Sequence, residues 1–276
     1  MLFRSKSKIN LGLKVLNKRS DGFHNIVTIF QEIDFADKIE LVKYRTGCQI
    51  KSNVDWIPLD SSNLCHKAYS ALCHELNHDL GVKISIEKRI PVGSGVGGGS
   101  ANAAATLIGL NSLYNLGLND IKLESIGANI GADVPFFIKG GTQIGEEKGE
   151  KLSPITQKLE AIILLVIPKV RISTEWAYSQ IKNKLKSDNS ILRFADLMRK
   201  DFLSFKFFEN DFEKIVIPAY PEIGSIKNKL LDSGAKFASL SGSGSTVFGI
   251  YDNKAYAKKA KSYFHNSHLT ILTRPI

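Results

Sequence analysis

Apolar and polar positions change period several times along the chain, which predicts a mixture of strands and helices. The stretch from Lys8 to Phe35 is typical of strands on either side of the turn sequence RSDGFH. In DSSNLCHKAYSALCHEL, capping residues precede apolar residues at helical spacing, which predicts a helix that ends at Gly81. The next sequence, VKISIEKRI, alternates like a strand and leads directly into PVGSGVGGGSANAAATL.

Beyond these glycines, alanine and leucine predominate from Ala101 to Leu116, which favours a helix. A second helix is predicted from Asp120, and GADVPFF interrupts it at Gly131 before a short strand. The later pattern predicts strand 161–167, helix 174–184, a helical middle, helix 221–231, strand 236–240, strand 245–251, helix 253–264 and strand 269–273.

These elements predict an α+β fold of two domains. If the helical middle is an insertion, the later elements have the order β-α-β-β-α-β, which is typical of a ferredoxin-like domain. The polar segment GGTQIGEEKGEKLSPITQK predicts a boundary near residue 155. We therefore divide the chain into residues 1–155 and residues 156–276.

The size and charge of the chain narrow the classes of partner. Its 276 residues suffice for one or two domains with a substantial core. The formal net charge of +10 favours an anionic partner but does not distinguish nucleic acid, membrane and a small phosphate compound. Four lysines of a predicted helix are most simply a solvated face: Lys254, Lys258, Lys259 and Lys261.

Three further features predict a cytoplasmic protein. Cys48, Cys65 and Cys73 form neither a disulfide framework nor a CxxC pair, which favours a reducing compartment. The longest apolar run, from Ala161 to Ile167, has seven residues and is far too short to span a membrane. No signal-peptide core follows the basic amino terminus.

Five glycines lie between Gly93 and Gly99, at a cost of about 0.5–1 kcal/mol each relative to alanine in regular structure. Backbone N–H groups of such a turn can converge on an anion, and the amino terminus of a following helix adds positive partial charge. The loop therefore suits a polyphosphate. Ser100, at the junction of loop and helix, offers a hydroxyl to phosphate or Mg²⁺, or is a plain helix cap.

Two other nucleotide-binding motifs fit this loop less well. Gly93, Gly95 and Gly98 satisfy G-x-G-x-x-G between a strand and a helix. However, Asp120, the acidic residue at about the right distance, begins a helix instead of ending a second strand. A Walker A motif needs a lysine after the glycines, and this sequence has none there.

Two more motifs leave alternatives open. HELNH, from His74 to His78, matches a zinc-protease pattern, but its predicted helix ends within three residues, so surface histidines are the simpler interpretation. SLSGSGSTVF, from Ser239 to Phe248, is either a tight hairpin or a second phosphate or substrate clamp. The presence of the first glycine loop favours the clamp.

Phosphoryl transfer also needs a positioned acceptor hydroxyl and compensation of the phosphoryl charge. Lys8 lies in a predicted strand of alternating residues, where a buried ammonium needs a purpose. Asp133, between IGA and VPFF, is the best candidate for a base. Either residue can instead be half of a structural ion pair.

Three motifs in one order, KINLGL, PVGSGVGGGSANAA and LSGSGSTVF, resemble those of the GHMP kinases, the family of galactokinase, homoserine kinase and mevalonate kinase. Within that family, RSDGFH, GVGGGSANAA and GADVPFF resemble the branch that acts on a cytidyl diphosphate alcohol. The resemblance implies phosphorylation, dependent on ATP and Mg²⁺, of the 2-hydroxyl of 4-diphosphocytidyl-2-C-methyl-D-erythritol, a step of the non-mevalonate route to isoprenoid precursors. It also implies an amino-terminal domain similar to ribosomal protein S5 domain 2 and a ferredoxin-like carboxy-terminal domain.

By position in these motifs, the resemblance implies a catalytic pair of Lys8 and Asp133. Implied nucleotide-binding residues are Asn63, Lys88, Pro91, Val92, Gly93, Ser94, Gly95, Val96, Gly97, Gly98, Gly99, Ser100 and Ala101, with Ser100 also a candidate Mg²⁺ ligand. Implied substrate-side residues are Asn10, Phe23, His24, Tyr178, Gly242 and Ser243.

Three positions depart from the family pattern. Ala101 stands where a second serine is frequent, so that hydroxyl is missing from the loop. Val96 replaces the usual leucine, and Phe23 replaces a frequent tyrosine while keeping an aromatic face for stacking. The alternatives are another GHMP kinase and, from a different class, an S5-like RNA-binding protein. We expect a small-molecule substrate, no nucleic-acid or membrane partner, and a monomer or weak homodimer.

Overall fold

The computed structural model describes residues 1–157, 159–181, 205 and 208–276, and the chain forms two compact units. Both units are discontinuous along the sequence. The first unit consists of Met1–Ser7, Phe35–Val92 and Gly97–Gly140. The second unit consists of Lys8–Asp34, Gly93–Val96 and Gly141–Ile276.

The strands are numbered in chain order. They are β1 (Leu2–Lys18), β2 (His24–Lys43), β3 (Gly47–Ser52), β4 (Gly81–Glu87), β5 (Thr142–Glu146), β6 (Lys151–Pro154), β7 (Ile162–Ile167), β8 (Phe237–Leu240), β9 (Val247–Tyr251) and β10 (Leu269–Thr273).

The helices within the described ranges are numbered in the same way. They are α1 (Leu64–Leu76), α2 (Gly98–Leu113), α3 (Asp120–Ala128), α4 (Phe136–Lys139), α5 (Thr174–Ser179), α6 (Glu213–Ala219), α7 (Pro221–Asp232) and α8 (Lys254–Phe264).

In the first unit, the largely buried helix α2 packs against α1, α3 and α4. Residues 38–43 of β2 pair antiparallel with β4, and β3 pairs parallel with β4. The alanine-rich sequence of α2 buries residues on every side, which is typical of a central helix. At Gly109 a Cβ would lie 2.1 Å from a methyl group of Leu41, so glycine lets α2 approach β2 closely.

In the second unit, residues 28–31 of β2 pair antiparallel with β5, which pairs in turn with β6. A separate antiparallel sheet has the order β10-β7-β9-β8. Helices α7 and α8 pack against this sheet, and its core includes Leu164, Val166, Val247 and Leu230. The predicted α+β class is thereby confirmed, and the four predicted strands of this sheet are observed in the predicted order along the chain.

Several predicted bounds shift in the structure. The first helix ends at Leu76, because Asn77 takes a left-handed conformation (φ 48°) and caps it, while Gly81 begins β4. Helix α2 begins three residues before Ala101, inside the glycine run. A one-turn helix, α4, precedes the short strand β5, and β3 had no sequence signal.

Other predictions lie partly outside the described residues. The predicted helix 174–184 is observed as α5 over its first six residues, and residues 182–184 are not described. Most of the predicted helical middle also falls outside the described ranges. The boundary near residue 155 stays a prediction. In the described part of the chain, no helix is both long and apolar enough to cross a membrane.

Candidate active site

The first glycine loop, residues 91–101, has backbone conformations that favour glycine. Gly93, Gly95 and Gly97 have φ values of 70°, 80° and 75°. A Cβ on Gly95 would lie only 2.3 Å from the carbonyl oxygen of Ser241, so this position has no room for a side chain. The loop backbone therefore packs directly against the backbone of Ser241, and its positive-φ glycines are of the kind that turn successive N–H groups toward an anion.

Helix α2 begins directly after this loop, with Gly97 as its N-cap. Because glycine has no side-chain oxygen, it cannot cap the first-turn N–H groups, and their positive partial charge suits a bound anion. Ser100 is the third residue of the helix and not its N-cap, so the plain-cap interpretation is wrong. Its Oγ lies 3.9 Å from the position that a Cβ on Gly131 would take.

Asp133 lies in the turn that begins at Gly131, where the N–H of Val134 donates to the carbonyl oxygen of Gly131 at 3.0 Å. The aspartate is half-buried and belongs to the first unit, as does Ser100. The turn thus brings Asp133 into the neighbourhood of the first turn of α2. Lys8 belongs to the second unit, and its pairing with Asp133 stays a prediction.

Lys8 is 4% exposed and its ammonium is directed by neighbours in the second unit. The Nζ donates to Asn10 Oδ1 at 2.7 Å and lies 5.1 Å from the centroid of the Phe30 ring. Asn10 Nδ2 donates in turn to Thr28 Oγ1 at 2.7 Å. The backbone N–H of Lys8 donates to the carbonyl oxygen of Val96 at 3.0 Å, which joins this strand to the glycine loop.

The second small-residue loop adjoins residues 93–96 of the first loop, which belong to the same unit. Ser241 Oγ donates to the carbonyl oxygen of Gly95 at 2.9 Å, and the N–H of Thr246 donates to the carbonyl oxygen of Ser94 at 3.1 Å. A Cβ on Gly242 (φ 58°) would lie 3.5 Å from Asn10 Oδ1. These contacts go beyond a simple hairpin turn and favour the clamp interpretation.

Asn210 holds the second loop, and sequence reasoning missed it. Its Nδ2 donates to the carbonyl oxygens of Leu240 and Gly242 at 2.7 and 2.8 Å, while its Oδ1 accepts from the N–H of Phe212 at 3.0 Å. The side chain is 2% exposed. No motif singles out this asparagine, because the carbonyl groups that it holds are about 30 residues away.

On the substrate side, the rings of His24 and Tyr178 stack with centroids 5.3 Å apart and an angle of 19° between their planes. Phe212 packs edge-on against Tyr178 at 4.9 Å. Phe23 is 59% exposed, and Lys148 Nζ lies 5.3 Å from its ring centroid. Partial burial lowers the pKa of His24, and the charge of Lys18 lowers it further, which favours the neutral ring.

Two implied nucleotide residues lie in the first unit with defined partners. Asn63 is the N-cap of α1, accepting from the N–H of Cys65 at 2.8 Å and donating to the carbonyl oxygen of Pro58 at 2.6 Å. Lys88 is 5% exposed and forms an ion pair with Asp37, which no sequence pattern singled out. The Nζ of Lys88 lies 3.1 Å from the position of a Cβ on Gly98.

The structure therefore divides the predicted site residues between its units. In the first unit are Asn63, Lys88, Pro91, Val92, Gly97, Gly98, Gly99, Ser100, Ala101 and Asp133. In the second unit are Lys8, Asn10, Phe23, His24, Gly93, Ser94, Gly95, Val96, Tyr178, Gly242 and Ser243. Ser243 Oγ lies 2.8 Å from Thr174 Oγ1.

The geometry disfavours both the zinc-protease motif and the dinucleotide-binding motif. His78 lies beyond the end of α1, so the two histidines of HELNH do not share a helical face. Among the residues that the structure describes, no three histidine, cysteine, aspartate or glutamate side chains could together hold a metal ion. The strand after α2, β5, pairs antiparallel with β2 and β6, unlike the parallel strand of a dinucleotide-binding unit.

Comparisons with known proteins agree with this geometry. A family model described as "GHMP kinases N terminal domain" matches residues 63–141, and one described as "GHMP kinases C terminal" matches residues 181–270. A 4-diphosphocytidyl-2-C-methyl-D-erythritol kinase of Acetivibrio thermocellus is 40% identical, with 96% of this chain and 94% of the relative covered. The chain belongs to the GHMP kinase family. A relative of the same name from Clostridium novyi is 36% identical over the whole of both chains.

Solved structures show the same GHMP kinase fold. A crystal structure of 4-(cytidine 5'-diphospho)-2C-methyl-D-erythritol kinase has a TM-score of 0.83 and 26% identity, with 100% of this chain and 99% of that chain covered. A mevalonate kinase of Methanococcus jannaschii has a TM-score of 0.76 at 17% identity, with coverage of 100% and 98%. The second likeness shows the fold alone. As a GHMP kinase, the chain is a small-molecule phosphotransferase that uses ATP.

Proposed function

We propose that the chain transfers the γ-phosphoryl group of ATP to the 2-hydroxyl of 4-diphosphocytidyl-2-C-methyl-D-erythritol in the non-mevalonate route to isoprenoid precursors. The observation that carries the proposal is the cluster in the second unit that joins Lys8 to both glycine loops. In it, the backbone of Lys8 bonds to the first loop, and its buried ammonium bonds to Asn10, whose Oδ1 lies near Gly242 of the second loop. The substrate is proposed from the names of relatives that are 36–40% identical over nearly the whole chain.

In this proposal, Asp133 accepts the proton of the 2-hydroxyl as the hydroxyl oxygen attacks the γ-phosphorus. The bond between that phosphorus and the bridging oxygen breaks, and ADP leaves. Lys8 offsets the charge of the moving phosphoryl group, and the glycine loop with the amino terminus of α2 holds the other phosphates.

The residues at the first turn of α2 fit a magnesium ion shared with phosphates. Mg²⁺ usually keeps several waters and takes only one or two protein oxygens in such sites. The hydroxyl of Ser100, beside the turn that carries Asp133, is an oxygen donor of that kind. Ser100 would hold the ion, and Ala101 supplies no second hydroxyl. When bound, Mg²⁺ neutralises phosphate charge.

We propose that the aromatic faces of Phe23 and Tyr178 enclose the cytosine ring. A base stacked on an aromatic face gains about 1–3 kcal/mol, and Phe23 is exposed enough to offer one. Because the His24 ring already stacks on one face of Tyr178, the base must enter against the other face or displace that contact. If the base displaces His24 from Tyr178, the neutral imidazole offers one donor nitrogen and one acceptor nitrogen to the base edge.

We further propose family domains over residues 1–155 and 156–276, a cytoplasmic location, and a monomer or weak homodimer without a nucleic-acid partner. The three thiols are free, which suits a reducing compartment.

The decisive measurement is ADP release from Mg·ATP with and without 4-diphosphocytidyl-2-C-methyl-D-erythritol. We expect turnover that depends on this alcohol and a loss of about 10² to 10⁴ in kcat in Asp133→Ala, because a positioned base contributes that much. Asp120→Asn, an exposed carboxylate at the start of α3, is the control for general damage. Full turnover in Asp133→Ala would remove the assigned base while keeping the kinase.

A second prediction concerns base recognition. Phe23→Ala should raise the KM for the cytidyl substrate about tenfold or more, because one stacking face is lost, while the KM for ATP changes little. Phe23→Tyr restores the face and should restore the KM. An unchanged substrate KM in Phe23→Ala would contradict the stacking role.

Another alcohol acceptor is the alternative within the same family. The fold is shared with homoserine and mevalonate kinases, so the fold does not distinguish substrates. A panel of these alcohols decides: turnover of one of them without turnover of the cytidyl substrate would replace the proposed reaction.

A further inference from the structure

Asp37 is a carboxylate with no exposed surface and a position in β2 of the first unit. Its Oδ1 accepts from the N–H of Arg89 at 2.7 Å and from the N–H of Ile90 at 2.8 Å. Its Oδ2 accepts from the Nζ of Lys88. One side chain thus binds three consecutive residues through three charge-assisted hydrogen bonds.

These three residues end immediately before Pro91, where the glycine loop begins. The backbone of Lys88 is held from another side, since its N–H donates to Asn53 Oδ1 at 2.6 Å and its carbonyl oxygen accepts from Asn53 Nδ2 at 3.3 Å. The path by which the chain enters the loop is therefore set by Asp37 together with Asn53.

The ammonium of Lys88 also lies at the amino terminus of α2. Its Nζ is 3.1 Å from the position that a Cβ on Gly98, the first residue of the helix, would occupy. A cation at this end of a helix is disfavoured by the helix dipole, and burial adds a desolvation cost. The negative charge of Asp37 offsets both effects.

We propose that Asp37 is a positioning residue for nucleotide binding. It holds the Lys88 ammonium at the amino terminus of α2, where its positive charge can attract the polyphosphate. The inference rests on the proposed function only in taking the loop as the phosphate site. The positive charge of Lys88 is then shared between Asp37 and a bound phosphate. Asp37 itself touches neither substrate, and it acts through Lys88 and through the backbone of Arg89 and Ile90.

The test measures Mg·ATP binding directly, by calorimetry, in Asp37→Asn. The amide keeps the shape and one acceptor oxygen, but it turns an NH₂ group toward the ammonium if that oxygen stays on the two N–H groups. We expect the Kd for Mg·ATP to rise about tenfold or more, while the Kd for the cytidyl substrate stays within about twofold.

Asp211→Asn is a matched control for the loss of a buried carboxylate. Asp211 likewise accepts from a backbone N–H, that of Val15 at 3.0 Å, and from a lysine, Lys214 at 3.0 Å, but in the second unit. We expect this variant to lose thermal stability with little change in the Kd for Mg·ATP. Equal Mg·ATP affinity in Asp37→Asn and the wild-type protein, with a similar fall in thermal midpoint, would reduce Asp37 to a structural role.

Lys88→Met covers the case in which Asp37→Asn does not fold. If Asp37 acts through Lys88, this variant must also raise the Kd for Mg·ATP, and adding Asp37→Asn to it must cause less further loss than in the wild-type background. Wild-type affinity in Lys88→Met would overturn the proposal. Because binding is measured without turnover, these results stand apart from the choice of alcohol substrate.

Discussion

At the scale of single residues, His24 illustrates how surroundings select a protonation state. Partial burial and the Lys18 ammonium lower its pKa below the ordinary value of 6.5. Since the folded-state pKa lies below the unfolded one, the neutral ring is favoured in the fold. Its contribution to stability is complete above the unfolded pKa and is lost as the pH falls through the folded pKa.

Lys18→Met should raise the pKa of His24, because it removes the charge that opposes protonation. Burial is the larger cause, so the pKa should stay below its ordinary value. An NMR titration of the imidazole measures this pKa and tests both expectations. Lys258→Met, which removes an exposed lysine of α8, should leave the titration unchanged; an equal shift in both variants would contradict a specific Lys18 effect.

A functional residue can be recognised from the sequence only when its immediate neighbours in the chain make it unusual. Lys8 and Asp133 are conspicuous because a charged letter stands among apolar ones, and the burial of Lys8 agrees with that interpretation. Asp37 and Asn210 have equally buried side chains but bind backbone groups distant in sequence. No local pattern records such partners, so only the folded structure reveals them.

At the scale of elements, the first glycine loop needs glycine for two separate reasons: a left-handed backbone conformation and close contact with the second loop. Gly93 and Gly95 both have positive φ, but a Cβ on Gly93 would meet open space while one on Gly95 would meet the Ser241 oxygen. Comparing the two positions separates backbone strain from the contact between loops.

Gly93→Ala should therefore cost about 1 kcal/mol in the free energy of unfolding, the usual scale of left-handed strain. Gly95→Ala adds a clash between backbone groups that cannot move aside, so it should cost several-fold more and raise the KM for ATP. Denaturant unfolding measures the first effect, and initial rates measure the second. Equal losses in the two variants would mean that the loops separate easily.

Element order was more predictable than element ends. The run AIILLVI and the later alternation gave β-α-β-β-α-β, because a period of apolar residues reports burial directly. The ends of α1 and α2 moved by several residues, since Asn77 and the glycines act through backbone conformation. The strand β3 was missed because its alternation covers only a few residues and includes only two apolar ones, Cys48 and Ile50.

At the scale of the whole molecule, the net charge of +10 should favour encounters with anionic ligands. We expect kcat/KM for the cytidyl substrate to fall moderately between about 50 mM and about 300 mM salt, as screening shortens the range of the field. A much steeper salt dependence of RNA affinity, without ATP turnover, would instead support the RNA-binding alternative. A flat kcat/KM would show that the charge lies away from the path of the substrate.

The interleaving of the two compact units also constrains how the protein is made. During synthesis, Gly140, the last residue of the first unit, leaves the ribosome before the later strands of the second unit. Residues 28–31 of β2 find their partner β5 soon afterwards, but Leu13, Val15 and Ile26 belong to a core that includes Tyr251 and Phe264 and must wait for those residues. At about 5–20 residues per second, that wait is roughly 10 to 50 s. The nascent chain therefore carries apolar strand surface for many seconds, which makes these strands a natural target for chaperones that bind unfinished polypeptides.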